Sequence, residues 1–427
     1  MAEQFYPRTP PRNHLVGAGA LSGWRGFRRE FRSGGWRPLL CGAVGYGLGV
    51  SVLPYYTLGA FVRPLETEFG WSRAEVQGCT IAIVVGTLLT ASLWGWLTDR
   101  YGVRRAGLTS QIGLGLSLLL LAGCPGDLWY WYAVWFLMTV VGLGTSPITW
   151  TRDVVAYFTQ GRGFALALTL CGSGLSSLTM PTLAALSIEH LGWRTAYIIL
   201  AASVLLIALP ITIWVLPERT AQQRHAPSTG NNNGAVVAAV KGLRFWLLTI
   251  SLMMAGFALA GLIPNLVPMM IGRGVEPTTA ATLMGVFGVS IIIGRLASGA
   301  ALDRVWAPLV ALVVLPLPAL ACLALNQGLS DFLPVAGCVA LIGMAAGAEF
   351  DLAAYLVTRY FGMENYSQIY ALQWIGFTIA SGCAPIVYAH FYDATGNYSL
   401  PLQISAALFV TAPFFLLALG RYPELRN

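Results

Sequence analysis

Three ionisable side chains lie inside segments that are otherwise apolar: Arg295, Glu349 and Asp351. A charge in the middle of a membrane-spanning helix costs about 2.5–3.5 kcal/mol, and such residues usually mark functional sites. A guanidinium group presents a planar set of donors that matches a carboxylate. A carboxyl group near an arginine in a low-dielectric site can exchange its ionised and neutral forms when the pair is disturbed. The three residues therefore predict a proton-coupled anion site, and the alternative is a static ion pair that only joins helices.

The two acids cannot both face one cavity. They are two residues apart, which places them about 200° apart around a helix. Asp351 shares a stripe with Tyr355 and Arg359, at intervals of four residues. We favour Asp351 as the acid on the cavity side and expect the other carboxyl group to meet a neighbouring helix.

A second kind of chemistry is indicated by a repeated Gly-x-x-x-Asp-Arg motif. It occurs as Gly95, Asp99 and Arg100, and again 204 residues later as Gly299, Asp303 and Arg304. Glycine and proline determine backbone geometry, and the same offset joins five further pairs of them: Pro64 with Pro268, Gly70 with Gly274, Gly172 with Gly376, Pro181 with Pro385 and Gly192 with Gly396. Two halves with one backbone plan and a site between them are typical of membrane transporters.

The two motifs predict a latch at one membrane face. An aspartate near a helix end can accept hydrogen bonds from exposed backbone N–H groups. Arg100, Arg104 and Arg105 follow the first aspartate, and Asp153 is the predicted partner for this charged loop. The alternative is a solvated cluster of charges without a gating role.

These residues must be positioned by membrane-spanning helices. The chain has 427 residues, of which 56% are hydrophobic and 10% charged, whereas soluble domains carry about 25% charged residues. Apolar runs long enough to cross a bilayer recur throughout. We predict an all-α membrane protein with twelve transmembrane helices, over 38–61, 74–98, 105–124, 129–151, 163–187, 195–216, 245–271, 278–301, 307–325, 333–358, 367–391 and 401–419.

The predicted organisation is two pseudosymmetric six-helix bundles, 38–216 and 244–420. A polar linker (217–243) joins them, and 1–37 and 421–427 form the tails. Most of the 25 Lys and Arg residues fall on the side of the tails and the linker, which predicts cytoplasmic termini. The expected location is the plasma membrane, the inner membrane of a bacterium.

The remaining composition limits the classes of partner. The net charge of +7 is explained by topology, so we expect a lipid bilayer and no nucleic acid as partner. The aromatic and arginine-rich segment 24–37 is either a surface helix on anionic lipid or a plain positive anchor. The seven cysteines show no metal-ligand spacing. We expect a monomer without cofactor or metal, and not an enzyme.

The motif sequences resemble a known family. GWLTDRYGVRR (95–105) is similar to the signature loop of the major facilitator superfamily. That resemblance implies two six-helix bundles, a site near the membrane midplane, and a loop that holds the inner gate closed in the outward-open state. Four further segments resemble the branch of monocarboxylate porters and oxalate:formate exchangers: PLETEFGWSRAEV (64–76), YFTQGRGFALALTLCGSG (157–174), GAEFDLAAYLVTRYFG (347–362) and YDATGNY (392–398).

This branch implies a substrate-binding arginine in the eighth span, a role that falls on Arg295. Animal porters carry an aspartate four residues earlier, where this chain has Ile291. Oxalate exchangers add a lysine in the eleventh span, but the single lysine here is Lys241, in the linker. One buried cation suits one carboxylate. Further cavity-lining residues are predicted at Tyr46, Tyr56, Asn265, Gln373 and Trp374.

The expected function is secondary active transport of a small organic acid, a monocarboxylate, together with protons. Two alternatives are an anion exchanger of the oxalate:formate type and an exporter of amphipathic compounds, the latter favoured by the 12% aromatic content. A multi-span membrane enzyme is a third alternative, but no paired-histidine motif, nucleophile elbow or metal cluster in the sequence supports it.

Overall fold

The computed structural model describes residues 20–217, 232–275 and 277–423, and within these ranges all regular secondary structure is helical. The first half contains α1 (Ala20–Glu30), α2 (Trp36–Gly47), α3 (Leu53–Phe69), α4 (Arg73–Gln77), α5 (Cys79–Tyr101), α6 (Val103–Ala122), α7 (Leu128–Gly142), α8 (Pro147–Tyr157), α9 (Arg162–Leu191), α10 (Trp193–Ala202) and α11 (Leu209–Val215). The second half contains α12 (Asn232–Lys241), α13 (Leu243–Gly272), α14 (Pro277–Leu302), α15 (Ala307–Val314), α16 (Leu317–Asn326), α17 (Phe332–Phe361), α18 (Tyr366–Thr395) and α19 (Ser399–Leu417).

The predicted membrane architecture is confirmed. In the described part of the chain, eleven helical segments are long and apolar enough to cross a bilayer. The pair α2–α3 occupies the first predicted span and completes the set of twelve. Several helices are longer than predicted; α17, for example, continues to Phe361.

The repeat is also visible in the helix boundaries. Helices α9 and α18 begin 204 residues apart and end 204 residues apart. The same offset relates the α7–α8 segment to α17, and α6 to the α15–α16 segment. Contacts between the halves include α5 with α18 and α9 with α14, which are equivalent pairs under the repeat.

The first span is not one helix, so the prediction of a continuous segment over 38–61 is wrong in this respect. Residues 48–52 are not helical. A Cβ atom on Gly47 would lie 2.6 Å from the carbonyl oxygen of Gly172, so the missing side chain allows α2 to approach α9 closely. Pro54 lies in the first turn of α3, where its missing N–H costs no helical hydrogen bond.

The break is stabilised by a second break in the fourth span. A short 3₁₀ turn (Leu143–Thr145) separates α7 from α8. The backbone N–H of Val50 donates to the Oγ1 of Thr145 at 2.9 Å, and that hydroxyl group donates to the carbonyl of Gly142 at 2.7 Å. A backbone N–H freed inside a membrane must find such a partner.

Replacement of Thr145 by valine tests this link. The valine would leave the buried N–H of Val50 without an acceptor, and we expect a loss of about 1–3 kcal/mol in the free energy of unfolding. Thr139→Val is the matched control, because the Thr139 hydroxyl bonds only to the carbonyl of Trp135 in its own helix. Equal losses in denaturant titrations of the two detergent-solubilised variants would contradict the assignment.

The predicted linker and amino-terminal tail also contain helix. Residues 232–241 form α12, although the polar composition of 217–243 predicts a flexible linker throughout. In the predicted tail, α1 is followed by a tight bend in which Gly34 has φ +122°. The other parts of these predictions, 1–19, 218–231 and 424–427, lie outside the described residues.

Candidate functional site

The two oppositely charged residues of the predicted anion site form an ion pair. Arg295 on α14 donates from Nη1 to the Oδ1 of Asp351 on α17 at 3.1 Å, and the two residues are 3% and 0% exposed. Helices α14 and α17 pack closely because glycines face the opposing backbone: a Cβ on Gly294 or Gly347 would collide with carbonyl oxygens of the other helix. This close packing aligns the two charged side chains.

The pair lies where the two halves meet. From the first half, the Tyr46 hydroxyl group on α2 is near the Arg295 guanidinium and the Ser173 hydroxyl group. Tyr56 on α3 is near Tyr46 and Arg295 and is 36% exposed. The break between α2 and α3 separates these two tyrosines, so the first half approaches the ion pair with aromatic hydroxyl groups.

Arg295 is more enclosed than the sequence predicts. A guanidinium at this depth is expected to face a wet cavity, but Asp351 and Tyr46 cover it in this conformation. The hydrogen-bonding capacity of the pair is nevertheless not used up. Among the described residues, Arg295 Nε, Asp351 Oδ2 and the hydroxyl group of nearby Tyr370 are buried without a hydrogen-bond partner. Unsatisfied buried polar atoms of this kind are uncommon and call for an explanation.

Glu349 has a different environment from Asp351. It is 3% exposed, and its Oε1 has no hydrogen-bond partner in the described part of the chain. That oxygen lies 3.4 Å from the position of a Cβ on Gly256, so it faces α13. Asp351 thus contacts the cation and Glu349 faces a neighbouring helix, and the role of Asp351 as the acid on the cavity side stays a prediction.

The repeat explains why the Oε1 atom of Glu349 has no hydrogen-bond donor. Its equivalent in the first half is Thr145, which accepts the N–H of Val50 at the break in the first span. Helix α13 is continuous at the corresponding level, so it offers no free N–H. The Oε1 atom of Glu349 therefore faces an intact helix that offers it no N–H donor.

The other three predicted lining residues contact protein atoms around them. Asn265 Nδ2 donates to the Gly261 carbonyl of its own helix at 2.8 Å. Gln373 Nε2 donates to the carbonyl of Phe245 at 3.4 Å, and Trp374 packs on Phe350 with ring centroids 4.9 Å apart. The side-chain amide of Asn265 is thus engaged within its own helix. The role of Asn265, Gln373 and Trp374 in binding stays a prediction.

The two repeated aspartates make equivalent contacts across the halves. Asp99 accepts hydrogen bonds from the backbone N–H groups of Ser367 and Gln368 at 3.4 and 3.1 Å, at the start of α18. Asp303 accepts from those of Gly163 and Phe164 at 2.6 and 2.9 Å, at the start of α9. Each carboxylate therefore satisfies N–H groups at a helix start in the other half, where the helix dipole favours negative charge.

The glycines of the motifs permit this approach. A Cβ on Gly95 would lie 2.6 Å from the Ser367 carbonyl oxygen, and one on Gly299 would lie 2.6 Å from the Gly163 carbonyl oxygen. We call the end of the molecule that carries these contacts the motif face. In this conformation the two halves are in direct contact at the motif face.

The other charged residues at the motif face have varied partners. Arg152 donates from Nε to Asp99 at 2.5 Å. Arg100 lies 5.4 Å from the ring centroid of Trp96, and Arg104 donates to the carbonyl of Ile213 at 2.9 Å. Among the remaining predicted gating residues, two are exposed, Arg105 and Arg304, and one is buried on α8, Asp153. Burial raises the pKa of Asp303, while the two N–H donors act to lower it.

Some of these partners had weak sequence signals. Arg152 is adjacent in sequence to Asp153, the predicted partner of the charged loop. Which of the two side chains faces Asp99 depends on how α8 is rotated about its axis. The N–H donors have no characteristic residue type, but the offset of 204 relates Gly163 to Ser367 and Phe164 to Gln368. Applied to the contacts of one motif, the offset would have predicted those of the other.

Comparisons with known proteins agree with this architecture. The sequence model described as Major Facilitator Superfamily matches residues 39–385. "Monocarboxylate transporter 13" of Bos taurus is 27% identical over 400 residues, which cover 92% of this chain and 89% of that protein. "Uncharacterized MFS-type transporter YhjX" of Escherichia coli is 21% identical over 334 residues, covering 77% and 82%. The crystal structure of the E. coli fucose:proton symporter FucP superimposes with a TM-score of 0.71 at 15% identity, covering 90% and 98%.

Proposed function

Because this chain belongs to the major facilitator superfamily, we propose that it is a secondary active transporter that carries a small organic monocarboxylate together with a proton. The observation that carries the proposal is the buried Arg295–Asp351 pair, which lies between the halves and retains unused hydrogen-bonding atoms. The name of the bovine relative, a monocarboxylate transporter, supports the same substrate class.

The ion pair provides a chemical basis for coupling. A substrate carboxylate can take the place of Asp351 at the guanidinium of Arg295, since the planar donor set suits either carboxylate. Asp351 would then be buried without a cation, and a proton from water would neutralise it. One proton and one anion thus enter the site together, and departure of the substrate allows Asp351 to ionise and pair with Arg295 again.

The motif face supplies the gate in this scheme. We assign it to the cytoplasmic side, because most Lys and Arg residues lie on that side of the predicted topology. The contacts of Asp99 and Asp303 hold this side closed, and Tyr56 lines the approach from the opposite side. The membrane would be the bacterial inner membrane, with both termini in the cytoplasm and the monomer as the working unit.

Uptake into proteoliposomes tests the proposal. Purified protein is reconstituted, and radiolabelled monocarboxylates of lactate size and of aromatic type are offered with an inward proton gradient. We expect accumulation that is abolished by a protonophore. Uptake that does not depend on the proton gradient and requires an anion preloaded inside the vesicles would favour an exchanger. Transport of amphipathic compounds without any acid would favour an exporter.

Two conservative substitutions on α17 distinguish the acids. Asp351→Asn removes the group that is proposed to change protonation, and we expect proton-driven accumulation to be lost. Glu349→Gln replaces a carboxyl group outside the Arg295–Asp351 ion pair by an amide of the same shape, so we expect uptake within about twofold of wild type. Initial rates with and without a pH gradient provide the measurement. Loss of coupling in Glu349→Gln and retention in Asp351→Asn would assign the proton to the other acid.

A further inference from the structure

Helix α1 packs on the segment that leads into the gate. Its Phe27 ring stacks on Phe158 with centroids 5.3 Å apart and meets Phe164 edge-on at 5.2 Å. Phe164 is one of the two residues whose backbone N–H groups are held by Asp303. One aromatic side chain of α1 therefore touches both the α8–α9 loop and the start of α9.

Polar contacts reinforce this packing. The Glu30 carboxylate accepts hydrogen bonds from the backbone N–H groups of Thr159 and Gln160 at 3.1 and 3.2 Å. Within the bend, the Ser33 carbonyl accepts from the Tyr157 hydroxyl group at 2.8 Å. Residues 25–33 thus contact the end of α8 and the α8–α9 loop over residues 157–160, and we call them the strap.

The opposite face of the strap is basic. Arg25 and Arg29 are four residues apart on one face of α1, and that face points away from Phe27 at 100° per residue. Both are exposed, as is Arg32 in the bend. Phe31 in the bend and Trp36 at the start of α2 expose 38% and 39% of their surface. A basic helix face followed by exposed aromatic residues is suited to the headgroup region of a membrane that contains anionic lipid.

We propose that the strap binds anionic lipid headgroups and thereby stabilises the closed motif face. Lipid bound to Arg25, Arg29 and Arg32 would hold α1 against the α8–α9 loop, and the loop would hold the start of α9 under Asp303. The occupant is identified by charge complementarity and by position, because α1 lies at the end of the membrane-spanning bundle. The proposal concerns the gate and is independent of which substrate is carried.

The start of α18 provides an internal comparison. It is the repeat equivalent of the start of α9 and is held by Asp99, yet the strap's contacts given above are with the α8–α9 loop and α9 alone. If the strap only packs locally, lipid will affect residues 157–164 and not the start of α18. If it stabilises closure of the whole motif face, both segments will respond together.

Hydrogen–deuterium exchange of the full chain in vesicles tests this. Wild type is reconstituted in phosphatidylcholine alone and in phosphatidylcholine mixed with phosphatidylglycerol. Two triple variants accompany it: Arg25, Arg29 and Arg32 all changed to glutamine, and the same three changed to lysine. We expect anionic lipid to slow exchange in 157–164 and in 366–370 for wild type and the lysine variant, and this effect to be lost in the glutamine variant.

Three results would overturn the proposal. The first is equal exchange of wild type in the two vesicles, and the second is a response of the glutamine variant that matches wild type. The third is a response confined to 157–164, which would make the strap a local packing element. Phe27→Ala adds a direct check, since loss of the ring contact should speed exchange of both segments in either lipid.

Discussion

We expect carboxylate uptake to be lost when Arg295 is changed to glutamine in a chain that also carries Asp351→Asn. The paired change is used because Arg295→Gln alone leaves a buried aspartate without its cation, which costs about 3–5 kcal/mol of stability. With both charges removed, the fold is expected to persist and the anion site to vanish. Truncation of a buried charge contact costs at least about 2 kcal/mol, so we expect uptake to fall about 30-fold or more.

The matched control for this experiment is Arg63→Gln, which removes an exposed arginine from α3. Its uptake should equal that of wild type. A thermal-unfolding profile of each detergent-solubilised variant separates loss of binding from loss of structure. Near-normal uptake by the folded double variant would eliminate Arg295 as the carboxylate site and, with it, the proposed substrate class.

Gly299→Ala is expected to open the motif face. The added methyl group would lie 2.6 Å from the Gly163 carbonyl oxygen. Both groups are carried by packed helices, which belong to different halves of the chain. Overpacking of this kind costs about 1–3 kcal/mol, which corresponds to a shift of about 5–150-fold in the population of the closed state. Faster hydrogen exchange at the starts of α9 and α18, together with reduced uptake, is the expected result.

Two further glycine variants make this experiment specific. Gly285 lies on the same helix, α14, and a Cβ there would meet nothing within 4 Å. Gly285→Ala should therefore leave exchange at both helix starts unchanged. Gly95→Ala, the repeat equivalent, should reproduce the effect of Gly299→Ala. A normal exchange pattern in Gly299→Ala would show that the motif glycine is dispensable for closure.

Much of the fold could be predicted because glycine and proline constrain the backbone. Their conserved offset between the halves indicated a duplicated plan before any helix was placed, and the boundaries of α9 and α18 follow that offset. Apolar run lengths located most spans to within a few residues, although α3 ends eight residues beyond the predicted end of the first span. These features depend on local backbone sterics and on burial in lipid, which leave a direct record in residue type.

The break at residues 48–52 could not be predicted from residue type in the same way. An apolar segment has the same composition whether its helix is continuous or interrupted, and the stabilising acceptor, Thr145, is about a hundred residues away. Gly47 precedes the break and Gly49 lies within it, but glycine is frequent throughout this chain. The interruption is tolerated because the fourth span supplies an acceptor for the backbone N–H group that the break leaves free.

Residue type indicated a buried arginine and two acids on different faces of one helix, and the structure pairs Arg295 with Asp351 while Glu349 faces α13. The role of these residues in binding stays a prediction. The enclosure of Arg295 could not be deduced, since it depends on Tyr46 from the other half of the chain. Contacts between distant segments are set by tertiary packing, and one sequence does not encode them in any short pattern.

The position shared by Thr145 and Glu349 shows how an ancestral duplication has diverged. In one copy the side chain repairs a broken helix, and in the other it is an acid against an intact one. The three charges of the proposed transport site all lie in the second copy, whereas the first contributes hydroxyl and aromatic groups. Under the proposed function, substitutions in the first copy would change which acid fits and leave the ion pair intact.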